Sequence, residues 1–91
     1  MTTMTNYEYA GEMQELCFSI SQACKVLEEK GLQDFYEAAS DGFAQKRKNY
    51  SVDEAAMIIV KSQEEQLEAT AAYAKELRNE AANKIDKEIA V

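Results

Sequence analysis

"SVDEAAMIIVKSQEEQLEATAAYAKEL", residues 51–77, decides how this chain is read. It holds neither glycine nor proline, and neither occurs anywhere from Ser51 to Val91. Ser51 and Glu54 have the spacing of a capping box, in which the serine hydroxyl and the glutamate carboxylate each take a backbone N–H. Beyond Val52 strong helix formers continue without a stop signal. The reading is one long helix over residues 52–90, which would span about 58 Å at 1.5 Å per residue.

Two shorter helices precede it. Tyr9, Met13, Leu16, Ile20, Ala23 and Leu27 form a seam at alternating spacings of four and three, widened by Cys17 and Cys24. This predicts a helix over about 7–30, capped by Thr5 or Asn6, with Gly31 in the left-handed position after its end. Gly11 lies inside it, at a cost of about 1 kcal/mol against alanine. Asp34 and Glu37 suggest a second capping box, opening a helix over about 34–48 with Phe35, Ala39 and Phe43 on its packed face. The expected fold is all-α. A single domain, 1–91, forms an antiparallel three-helix bundle, made of a helical hairpin and one long C-terminal helix.

The lengths do not match. A helix over residues 7–30 covers only about 36 Å of the longer rod. An apolar stripe of Leu67, Ala71, Ala74, Leu77, Ala81, Ile85 and Ile89 therefore needs a cover. A second copy of the chain supplies the simplest one, so a homodimer or higher oligomer through the long helix is expected. The rival is a break near Thr70 or Asn79 that folds the tail back on its own chain.

Composition narrows the function. The 91 residues carry a net charge of −7 and no histidine. Nucleophile–histidine catalysis and histidine-ligated metal sites are excluded outright. Two cysteines cannot complete a zinc site, and seven residues apart on one helix they stand about 10.5 Å apart, too far to bridge. They read as small buried hydrophobes. Three scattered glycines make no phosphate loop. No enzyme activity, cofactor or metal is expected. An acidic chain does not neutralise nucleic-acid phosphates or anionic lipid, so neither direct nucleic-acid binding nor membrane binding is expected. The N-terminal stretch lacks a signal peptide's basic and apolar parts, and a cytoplasmic location is expected.

Two charged groups remain. Glu54, Glu65 and Glu76 recur every eleven residues, close to one line on an unbroken helix, with Glu68 and Glu80 flanking it and Glu64 further round. This row suits a basic protein surface, although an acidic face kept for solubility accounts for it too. Lys46, Arg47 and Lys48, with Phe43 and Tyr50 nearby, form the basic cluster of the chain. They complement a helix C-terminus or hold a phosphate-bearing ligand at a subunit boundary. The expected function is a small non-enzymatic binding module, an inhibitor or regulator that occupies a basic, nucleic-acid-binding surface of a partner. In size and charge it resembles the compact acidic helical proteins of bacterial viruses that act this way, DNA mimics among them. The alternatives are a structural subunit acting through self-association and a binder of small phosphate-bearing ligands.

Overall fold

The computed structural model describes residues 3–89. It is all-helical, with four helices where three are expected: α1, Asn6–Val26; α2, Lys30–Asn49; α3, Val52–Ala56; and α4, Lys61–Ile89. The expected rod is broken at residues 57–60, within "AAMIIV", and not near Thr70 or Asn79. The expected end near Ala90 lies outside the described residues.

The break has a local cause. Ile58, Ile59 and Val60 are consecutive β-branched residues, which lose side-chain freedom in a helix and fit extended backbone. Met57 already leaves the helix, at ψ 136°. The segment then pairs with the chain ahead of α1. Asn6 N donates to Met57 O at 2.7 Å and Ile59 N to Met4 O at 3.0 Å, bracketing an antiparallel bridge between Thr5 and Ile58. Asn6 Nδ2 adds a bond to Glu54 O at 3.0 Å. Gln63 Oε1 then accepts the Val60 N–H at 3.0 Å, half of a capping box that starts α4.

The helix ends elsewhere follow similar chemistry. Thr5 caps α1 in a capping box with Glu8, and Ser51 caps α3 with Glu54 as expected. The α1–α2 turn departs from expectation. Its left-handed residue is Glu28, at φ 60°, while Gly31 lies in the first turn of α2. Glu28 N donates to Lys25 O and Glu29 N to Cys24 O, the paired bonds of a Schellman turn. Lys84 of α4 secures that turn, donating to Val26 O at 2.7 Å and meeting Glu28 Oε2 at 3.5 Å. Asp34 does not cap α2. It lies inside the helix and pairs with Lys30 at 2.8 Å.

Both long helices pack on α1, α2 on one side and α4 on another. The contacts set their directions. Ser40 and Arg47 of α2 bond to Gln14, and Phe43 meets Tyr9, so α2 runs back along α1. Tyr9 Oη donates to Gln66 Oε1 near the start of α4, and Lys84 sits at the end of α1, so α4 runs alongside in the same direction. Residues 52–60, with α3, carry the chain across.

The core follows this arrangement. Ile20, Ala23 and Cys24 pack against Ala74, Leu77 and Ala81, with Leu16, Leu27, Tyr36 and Tyr73 around them. Tyr9 and Met13 pack on Ile59 at the other end. On α2 the packed face is rotated from the expected one. Tyr36, Ser40 and Phe43 point inward, whereas Phe35 is 64% exposed. The molecule is flat and elongated, 54 × 26 × 16 Å. Among the described residues no helix is long and apolar enough to cross a membrane.

Candidate partner-binding surface

With α2 and α4 packed against α1, one side of α1 stays open. At about 100° per residue, Tyr7, Gly11 and Gln14 point towards α2, and Tyr9, Met13 and Ile20 towards α4. Glu12, Glu15, Leu16 and Ser19 occupy the remaining arc. Together with Leu67, Glu68, Ala71 and Arg78 of α4 they line a groove of about 500 Å³. Its floor is apolar: Leu16, Leu67 and Ala71. Three carboxylates, Glu12, Glu15 and Glu68, rim it against one guanidinium.

The expected acidic row loses Glu54, and the rest of it stays on α4. The break at residues 57–60 removes the helical phase that joined Glu54 to Glu65, and the Glu54 carboxylate caps α3 instead. On α4, Glu64 shares the groove side with Glu68, while Glu65 and Glu76 lie on the back of the helix. Glu80 lies about 40° further round than Glu76. The Tyr73 phenol is pushed up from its ordinary value first by burial and then by the neighbouring Cys24, Glu76 and Glu80 groups. Glu12 and Glu15 complete the rim, and the packing of α4 against α1 is what sets them beside Glu68.

The expected oligomerisation stripe is covered largely by its own chain. Ala74 is fully buried, and Leu77 and Ala81 are nearly so, all against α1. Leu67 and Ala71 are half-buried in the groove. Ile85 and Ile89 stay exposed, at 42% and 76%. The cause is arithmetic. The nine residues from Val52 to Val60 form the crossover, so α1 reaches along most of α4 instead of half of a longer rod.

The basic cluster divides in two. Arg47 and Lys48 line a hollow with Tyr7, Gln14 and Ala44. Lys46 lies over the Phe43 ring at 5.2 Å, and Phe43 packs edge-on against Tyr9, so these two and Tyr50 are absent from that lining. Cys17 and Cys24 are free and buried. Burial pushes both thiols up from their ordinary value, with the Glu29 charge adding to the effect on Cys24. Among the described residues no three His, Cys, Asp or Glu side chains converge on a shared metal position. Comparison with protein families, curated proteins and solved structures found no match to this chain.

Proposed function

We propose that this protein is a small non-enzymatic binding module, whose α1–α4 groove receives a basic amphipathic helix on a partner protein and so occupies or regulates that surface. One observation carries the reading. Leu16, Leu67 and Ala71 form an apolar floor that Glu12, Glu15 and Glu68 surround with negative charge. Apolar floors of this kind accept the apolar face of a helix, and a carboxylate rim selects partners with flanking lysine or arginine. The net charge of −7 adds long-range attraction for the same partner.

Affinity for a lysine- and leucine-containing amphipathic helical peptide tests this. Replacing Glu12, Glu15 and Glu68 together by glutamine is expected to weaken binding about tenfold, taking about 0.5 kcal/mol for each exposed pair. The control, Glu65→Gln with Glu76→Gln, removes acids from the back of α4 and lowers affinity clearly less, through the overall charge alone. Equal losses in both variants would point to bulk charge and against a groove.

Self-association is a second reading, and its support comes from a different place than the α4 stripe. Val52, Met57, Ile58 and Val60 are all exposed. Ile58 belongs to the non-hydrogen-bonded pair of its bridge, so its own N–H and C=O face away from residues 4–6 and present an edge. If copies pair along this edge, light scattering gives a dimer mass that Ile58→Lys returns to that of a monomer. A monomer mass for the unmodified chain at high micromolar concentration ends this reading.

A further inference from the structure

Arg47 is held in an unusual way. Its guanidinium lies 4.5 Å above the Tyr7 ring. Nη1 donates to Gln14 Oε1 at 3.2 Å, and Nε is enclosed without a hydrogen-bond partner. Glycine at position 11 leaves the guanidinium room: a Cβ there would stand 3.3 Å from the Arg47 Cζ, so the guanidinium would have to give by a few tenths of an ångström. The Gln14 backbone carbonyl accepts from Ser40 Oγ at 3.0 Å, which ties α2 to α1 beside this contact. Lys48 and Ala44 join Tyr7, Gln14 and Arg47 around a hollow of about 280 Å³.

Complementing the C-terminal dipole of α2 accounts for cations in its last turn. It does not account for a guanidinium folded back across α1 with an unmatched donor. No carboxylate lines the hollow, and neither Arg47 nor Lys48 joins an ion pair among the described residues. In a chain of net charge −7, two cations are gathered where their own acids do not reach. The carboxylate in the adjacent first turn of α1, Glu8, is engaged by Thr5 N at 3.2 Å.

We infer that this hollow is a binding site for a small phosphomonoester. With Nη1 held by Gln14 and Nε enclosed, Arg47 offers Nη2 to a phosphate oxygen, and the adjacent Lys48 adds a point charge that favours a dianion over a monocarboxylate. A phosphomonoester carries a charge of about −1.5 to −2 near neutral pH. The volume lies at or just below the lower end for small-molecule sites, about 300 Å³, which limits the ligand to the phosphate group and a few further atoms. This site is separate from the α1–α4 groove and does not depend on its reading.

The test is an amide-shift titration of isotope-labelled protein with inorganic phosphate and with methyl phosphate, against sodium chloride of matched ionic strength. Saturable shifts at Tyr7, Gln14, Ala44, Arg47 and Lys48 are expected from both phosphates and not from chloride. Lys48→Gln, at an exposed position, should weaken binding about fivefold, the loss of one partly screened charge. Gly11→Ala pushes the guanidinium by a few tenths of an ångström and should weaken binding less than Lys48→Gln does. Lowering the pH through about 6 should weaken binding in the unmodified protein, because the ligand loses its second charge there. Shifts that grow without saturating, that chloride reproduces, or that Lys48→Gln leaves unchanged would overturn the assignment. So would binding of inorganic phosphate without binding of methyl phosphate.

Discussion

Glu28 stands at φ 60°, where most non-glycine residues pay a steric penalty, and glycine three positions later stands in an ordinary helical turn. The sequence points to Gly31 because glycine is the usual left-handed terminator. The actual turn is set by its Schellman bonds and by Lys84 of α4, a contact between residues 58 positions apart that no local rule reads. The interior glycines make the same point at this scale. Gly42 faces open space, so Gly42→Ala should add about 1 kcal/mol of stability through helix propensity alone. For a domain of this size that is a rise of about 4–8 °C in the thermal midpoint. Gly11→Ala should gain clearly less, because its Cβ meets Arg47. Calorimetry of the two variants side by side checks both. The buried acids give a pH prediction. Burial is the first cause that raises Cys17 and Cys24 above 9.0 and Tyr9 above 10.0. Groups the fold holds in their neutral form bind protons more tightly folded than unfolded. Their contribution is complete below the ordinary values and is lost as pH climbs through the raised ones. Urea midpoints should therefore stay level up to about pH 8.5 as far as these groups are concerned, and fall above about pH 9.

The elements were legible unevenly. The helices of the first half, the Ser51–Glu54 capping box, Thr5 as one of two cap candidates for α1, and most of the seam on α1 could be read from spacing and cap chemistry. The break at residues 57–60 could not be placed by searching for glycine or proline, because its cause is a β-branched run that finds a partner strand at residues 4–6. That run was visible as "IIV", yet a dense apolar cluster fits a buried helix equally well. The face of α2 was misread because Ser40 and Arg47, polar by type, sit on its packed side, the serine bonded to a backbone carbonyl and the arginine lying across Gly11. The crossover makes a prediction of its own. Ile59 is 6% exposed against Tyr9 and Met13, while its neighbour Ile58 is half out in solvent. Ile59→Ala should cost about 2–4 kcal/mol and Ile58→Ala less than about 1 kcal/mol. Denaturant unfolding of the two variants measures the contrast, and near-equal costs would contradict an extended segment that buries one side.

Across the whole molecule, the fold places α1 between two helices and leaves its third side open. That consequence follows from the crossover. Because residues 52–60 carry the chain back to the start of α1, α4 begins level with Tyr9 and buries Ala74, Leu77 and Ala81 within its own chain. The middle of a stripe that reads as an interface in the sequence becomes core. Glu12 and Glu15 of α1 become one wall of a groove. The carboxylates of the site were thus legible as residue types and not as a site, since membership depends on which helix lies beside which. The measurement closest to the central claim is an amide-shift map of the labelled protein on adding a basic amphipathic helical peptide. The account predicts the largest changes at Glu12, Glu15, Leu16 and Ser19 of α1 together with Leu67, Glu68 and Ala71 of α4, fading as salt is raised. Changes confined to the back of α4 around Glu65 and Glu76, or to the exposed edge at residues 57–60, would contradict it.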